Sequence, residues 1–263
     1  MNTTVPERPH WSGKMTRFAF FVGILAIVLL AIAGPAYRLR LLPLLPALLG
    51  AAIGFLLFVV TFIVGAIGLL AGGRQGLSRS RASVAVIVLS LVITIVAGFW
   101  IIRGRGAPPI HDVTTDLNDP PVFKDVVPLR LASAALNPVE YQPIQPIMGN
   151  KINVPDAQRS AYPDIQPLVL PQPPAHAVQL AARVAKDMGW DIVAVVPSEG
   201  RVEATDTTLY FGFKDDVVIR ARPESTGSRI DVRSESRVGG GDAGTNARRV
   251  RAFLARLRDQ AGK

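Results

Sequence analysis

The chain has no cysteine in 263 residues, which excludes disulfides, thiol catalysis, iron–sulfur ligation and thiolate zinc sites together. Histidine is almost as scarce. His10, His111 and His176 lie far apart and no two have metal-ligand spacing, so they read as isolated surface residues and no metal is expected. Acidic residues are missing from one half: residues 1–103 hold nine Lys/Arg against the single Glu7, whereas 104–263 hold twenty against nineteen. The formal net charge of +9 therefore belongs mainly to short segments flanking apolar runs, not to a folded face. That distribution argues against nucleic acid as a partner.

Charge of either sign is absent from three long apolar runs, Phe18 to Ala36, Leu48 to Leu70 and Val84 to Ile102, each 19 to 23 residues long. At about 1.5 Å per residue, each is long enough as a helix to span the ~30 Å hydrocarbon core of a bilayer. Helix is the form that satisfies the backbone within lipid. A transporter or proton path normally needs an ionisable residue inside the membrane, and these runs have none. Pro35, Pro43 and Pro46 suit a tight turn and helix starts between the first two runs. Gly50-Ala51-Ala52-Ile53-Gly54, followed by Gly65 and Gly68, has the small-residue spacing that lets helices approach closely, within this chain or between two copies.

Basic flanks set the expected orientation. Arg8, Lys14 and Arg17 with Arg74, Arg79 and Arg81 face Arg38, Arg40, Arg103 and Arg105, a six-to-four bias. It places the N-terminus in the cytoplasm and the C-terminal domain outside it, periplasmic in a Gram-negative cell. The first run also resembles a signal peptide ending at Ala31-Ile32-Ala33. Cleavage there would leave two spans and the same address for the domain.

Residues 1–103 thus form the expected transmembrane anchor. From 104 to 172 prolines recur, as in Pro108-Pro109, Pro120-Pro121 and Asn137-Pro138, and forbid long helices. This segment reads as an extended strap whose Phe123, Val126, Val127, Tyr141, Tyr162 and Ile165 pack on the remainder. Residues 173–263 form the α+β soluble core. Val178, Ala181, Ala182, Ala185 and Met188 share one face of a helix that Gly189 ends. Strands follow at Asp191 to Val196, Arg201 to Thr208, Asp215 to Arg222 and Ser228 to Glu235. Their turns lie at Pro197-Ser198-Glu199-Gly200, Gly212 and Glu224-Ser225-Thr226-Gly227. A last helix, from near Asp242 to Arg258, aligns Val250, Phe253, Leu254 and Leu257. Helix, four-stranded antiparallel meander and helix make a two-layer domain with both helices on one sheet face. The other face carries Arg220, Arg222, Arg229, Asp231, Arg233 and Glu235, and is either solvated, anion-binding, or covered by the strap.

Candidate chemistry is sparse. Arg237-Val238-Gly239-Gly240-Gly241-Asp242-Ala243-Gly244-Thr245-Asn246 feeds a helix N-terminus, where free N–H groups attract anions. It lacks the ending of a P-loop, and Asp242 serves equally as an N-cap. Asp215 and Asp216 are strand neighbours pointing to opposite faces, so they cannot act on one bond. Hydroxyls at Thr205, Thr207, Thr208, Ser234 and Ser236 have no histidine nearby in sequence and no nucleophile-elbow pattern.

Several strings resemble the family catalogued as domain of unknown function 1499. They are Val202-Glu203-Ala204-Thr205, Phe211-Gly212-Phe213-Lys214-Asp215-Asp216-Val217-Val218-Ile219-Arg220 and Ile230-Asp231-Val232-Arg233-Ser234. His111-Asp112-Val113-Thr114-Thr115-Asp116, Pro120-Pro121-Val122-Phe123, Tyr162-Pro163-Asp164 and Gly244-Thr245-Asn246 extend the likeness over nearly all of the soluble half. The resemblance implies a family of bacteria and plastids with lumenal members, consistent with a non-cytoplasmic domain, and implies no activity.

The expected function is a non-catalytic, membrane-anchored binding or accessory module of the cell envelope, with no cofactor. Its partner would be a protein or an anionic small molecule, held through Arg220, Arg233, Arg237, Gly239, Gly240, Asp242 and Asn246. Two alternatives stand beside it. One is an envelope hydrolase using Asp206, Asp215 or Asp216 as acid or base; the other is lipid-surface binding through the basic C-terminal helix.

Overall fold

The computed structural model describes residues 11–78, 81–133, 135–147, 149–225 and 227–262. Glu7, Arg8, His10, Arg79 and Thr226, which entered the reading of the sequence, lie outside the described residues. The chain divides into two compact units, Met1–Arg103 with Tyr210–Gly212, and Gly104–Leu209 with Phe213–Lys263.

The first unit holds helices α1 (Ser12–Arg38), α2 (Leu44–Ser78) and α3 (Arg81–Gly104). Ser12–Arg38, Leu44–Ala71 and Arg81–Ile102 are each long and apolar enough to cross a membrane. Pro35 lies inside the last turn of α1, so the first helix runs past the proline where the sequence suggested a turn. Small residues let the helices touch: Ala19, Gly23, Ala26 and Ala33 are buried on α1. A Cβ at Gly54 would meet the Ala26 carbonyl oxygen at 3.3 Å, and one at Gly65 would meet Ile87 Cγ1 at 2.4 Å. These glycines therefore serve packing within one chain, where apolar driving force is weak and close approach supplies the attraction.

The second unit is built on an antiparallel sheet. Its strands are β1 (Asp112–Thr114), β4 (Leu168–Leu170), β5 (Asp191–Val196), β6 (Arg201–Thr207), β7 (Lys214–Glu224) and β8 (Gly227–Ser236). The order is β1-β8-β7-β6-β5, with β4 also pairing β8. A separate hairpin joins β2 (Ile144–Ile147) to β3 (Asn150–Asn153). Helices α6 (Pro174–Asp187) and α7 (Thr245–Ala261) lie on one sheet face. Between them and the sheet sit Val178, Ala181, Val184, Val202, Ala204, Val217, Ile219, Ile230, Val232, Val250, Phe253 and Leu257. Trp190 stacks on Phe253 with ring centroids 5.4 Å apart. Burying such aliphatic and aromatic groups stabilises by roughly 1.5–3 kcal/mol each before entropy is counted.

The strap is less extended than its prolines suggest. It supplies β1 and β4, the β2–β3 hairpin, and two short helices, α4 (Val127–Ala132) and α5 (Val154–Ala161). Proline sits in the first turn of both helices, where its missing N–H is no loss and its fixed φ favours entry. Asn153 caps α5 by accepting from the Asp156 N–H at 3.1 Å.

Gly200 closes the β5–β6 connection at φ +65°, and the position of its missing Cβ is 2.1 Å from the Ala221 carbonyl oxygen. Gly200→Ala is expected to destabilise the second unit by about 2 kcal/mol or more. Pulse proteolysis of the detergent-solubilised chain across a urea series checks it.

Candidate functional site

Strand alternation sends one row of side chains from β6, β7 and β8 away from the helices. That row is Arg201, Glu203 and Thr205; Asp216, Val218, Arg220 and Arg222; Arg229, Asp231, Arg233 and Glu235. The strap covers it. Arg130 of α4 donates to Asp216 at 2.8 Å and to Glu235 at 3.1 Å. Arg233 meets Asp112 of β1 at 2.8 Å through Nη2 and at 3.1 Å through Nε, and reaches Glu235 at 3.2 Å. Arg237 grips Asp216 with Nη2 and Nε at 2.8 and 2.9 Å, and Thr205 donates to the same carboxylate at 2.8 Å. Three arginines and three acidic side chains, none more than 4% exposed, form one network.

Two further anchors flank it. The Glu203 carboxylate accepts the backbone N–H groups of Lys124 and Val126, each at 2.8 Å, and pairs with Arg201, which also meets Asp125 at 2.5 Å. Phe123 and Val126 pack on Val218, and the Arg233 guanidinium lies 4.9 Å from the Phe123 ring centroid. At the far end Arg220, Arg222 and Arg229 converge on Asp231 at 3.1, 2.9 and 3.0 Å, and on Asp116 at 3.5, 3.1 and 2.9 Å. Asp119, 62% exposed, completes that cluster at 3.1 Å from Arg220 and 2.7 Å from Arg222.

The sequence-predicted site residues are therefore separated. Arg233 and Arg237 lie in the buried network and Arg220 in the outer cluster. Gly239 and Gly240 are exposed in the loop before α7. Asp242 lies just before the helix and accepts the N–H groups of Gly244 at 2.8 Å and Asn246 at 2.5 Å, two donors that a bound anion would otherwise use. Asn246 is buried, donating to the His111 carbonyl at 3.0 Å and accepting from Ser234 at 2.7 Å. Asp215 and Asp216 point to opposite faces: Asp215 meets Arg249 of α7 at 2.6 Å, and Arg249 also holds Asp206 at 2.8 Å. Of the other α7 arginines, Arg251 pairs with Asp164. Arg130, Asp112, Glu203 and Asp116 escaped sequence reasoning; the alternation of both charge signs along β7 and β8 was the available signal, since it demands counter-charges if covered.

Burial pushes the Glu235 carboxyl well above the usual glutamate range, and neighbouring Asp112 adds to this; Arg233 and Arg130 only partly oppose it. His111, read from the sequence as a surface residue, is buried, and burial lowers its imidazole against the pull of Asp112. For Asp116 burial acts upward, but the Asp119 and Asn118 N–H groups and Arg229 outweigh it and the carboxyl falls below its usual value. Among the described residues no group of three or more His, Asp or Glu has metal-site geometry.

Removing one member of a buried pair strands its partner's charge, so Arg130→Ala is expected to destabilise the domain by about 3–5 kcal/mol, and Asp119→Ala by less than about 1 kcal/mol. Urea midpoints measure both. Glu235 adds a pH dependence. Its raised value means that the folded state holds the proton more tightly, so this contribution is full below the ordinary glutamate range and is lost as pH rises through the raised value. Relative to wild type, Glu235→Gln should therefore gain thermal stability as pH is raised from 4 toward 8; melting curves at four pH values test the slope.

Residues 112–257 match the family described as Protein of unknown function (DUF1499). No match is found among curated proteins or solved structures. The match begins at β1, whose Asp112 holds Arg233, and ends in α7, so it takes in the strap as well as the sheet. Extending over more than half of the chain, it makes this protein a member of the DUF1499 family.

Proposed function

We propose that the chain is a membrane-tethered, non-catalytic module of the cell envelope that presents its α+β domain outside the cytoplasm to a protein partner. The tether rests on three helices of spanning length and apolarity. The outward address rests on the six-to-four basic bias of their flanks.

The observation that carries the non-catalytic reading is the engagement of the carboxylates. Asp206, Asp215 and Asp216, the residues available to a hydrolase, are each held by arginine, and Asp215 and Asp216 are buried. A general acid or base needs a proton to exchange and room for substrate beside it. Charge balance favours a protein over a small anion. Both arginine clusters carry three acidic side chains for three arginines, and Asp242 fills the helix N-terminus. Little positive field is left for phosphate or a similar ligand. Within the binding set expected from sequence, Arg220 with its neighbours Arg222 and Asp119 offers exchangeable, solvent-reaching ion pairs. Arg233, Arg237 and Asn246 support the surface from beneath. Gly239, Gly240 and Asp242 shape the opposite end.

A photo-crosslinking amino acid at Asp119 in living cells should yield a discrete protein adduct that Arg222→Ala reduces about tenfold, the scale of one interfacial ion pair. Melting temperature should stay within about 2 °C of wild type, as for other surface substitutions. No adduct, or an adduct indifferent to Arg222→Ala, contradicts the proposal.

A further inference from the structure

One end of the sheet gathers exposed leucines. Hydrogen bonds fix their place. Arg237, one residue beyond β8, donates its N–H to the Lys214 carbonyl at 3.0 Å, at the start of β7. The Leu136 N–H donates back to the Arg237 carbonyl at 2.9 Å, and Arg237 Nη1 reaches the Leu129 carbonyl at 3.3 Å. Thr208 N–H to Phe213 carbonyl, at 2.8 Å, closes the β6–β7 turn at the same end. Here Leu131 is 78% and Leu136 71% exposed, with Leu129 at 46%. Within α4 the arrangement is divided by side: Arg130 turns inward to Asp216 and Glu235, while Leu129 and Leu131 turn to solvent. A soluble domain gains nothing from that outward face, and Leu129, Leu131 and Leu136, all exposed at one end of the sheet, call for a cover.

The chain itself points to the cover. Seven residues separate Gly104, the last of α3, from Asp112, the first of β1. A chain of that length reaches at most about 28 Å when fully extended. β1 enters at this same end, because Asp112 pairs with Glu235, and the His111 carbonyl accepts the Ser236 N–H at 2.9 Å. The end bearing the leucines is thus the one tied to the third apolar helix. Arg105 and Lys214, both exposed, add cationic groups there that suit anionic headgroups.

We infer that this end of the sheet docks on the bilayer surface, with Leu129, Leu131 and Leu136 seated among headgroups and upper acyl chains. The inference rests on the membrane-tethered reading above. Docking fixes the domain's orientation and turns the outer arginine cluster, at the other end of β7 and β8, away from the lipid.

The absence of cysteine makes the test clean. The full chain is reconstituted in nanodiscs of phosphatidylcholine and phosphatidylglycerol and spin-labelled at one position at a time. Leu131→Cys and Leu136→Cys report the docking end, Ser225→Cys the opposite turn, and Leu56→Cys and Val92→Cys the spans. Labels at 131 and 136 should show an oxygen-to-nickel accessibility ratio about threefold or more above that at 225, as expected for groups seated in the interface. If 131 and 136 match 225 while 56 and 92 report lipid, docking is overturned and the tether stands. If 56 and 92 also report water, both fall.

Discussion

The fold of the second unit turns on one constraint: a guanidinium or carboxylate removed from water must find its counter-charge. Strand alternation places Asp216, Arg233 and Glu235 on the sheet face away from the helices, and the residue after β8 adds Arg237. Uncovered, that face would be a solvated surface with weak ion pairs. The strap covers it by bringing Asp112 and Arg130, which complete a set of three arginines and three acidic side chains. Neither segment can be buried without the other. Such a network adds little net stability over an apolar interface, but it makes wrong registers expensive, so its main effect is to position the strap.

Positioning extends outward from the network. Glu203 holds the two N–H groups that present Phe123 and Val126 to Val218, and the Phe123 ring in turn lies against the Arg233 guanidinium. Arg130 ties α4 down by its inner side, which is what leaves Leu129 and Leu131 facing outward. Arg237 carries the loop of Gly239 and Gly240 at its carbonyl side, where Asn137 donates to Gly239 at 3.0 Å. A single polar layer thus sets both the outer arginine cluster and the leucine-bearing end. On that basis the arginines are structural first, and the surfaces they frame are where recognition is proposed.

The legibility of the chain in sequence follows the range of its interactions. β5 through β8 are readable because turn residues such as Gly200 and Gly212 are local, and the bounds read from the sequence fall within two residues of those observed. The apolar helices are readable because length and composition alone identify them. β1 and β4 are three residues each and pair with β8 from far along the chain, so neither has a periodicity to detect. α4 and α5, of six and eight residues, are too short to show a helical period. The pairing of Arg233 with Asp112 spans 121 residues, and its only trace is mixed charge on a face that also had to meet Phe123. His111 was misplaced at the surface for the same reason: its burial comes from α7 and β8, not from its neighbours in sequence.

The central claim is that strap and sheet form one cooperative unit joined by the buried network. Native-state hydrogen exchange tests it most directly. The N–H groups of Thr115 and Val126, donated to Val232 and Glu203, should exchange with the same opening free energy as those of β7 and β8. Exchange at the rate of an unprotected loop, while β7 and β8 remain protected, would contradict it.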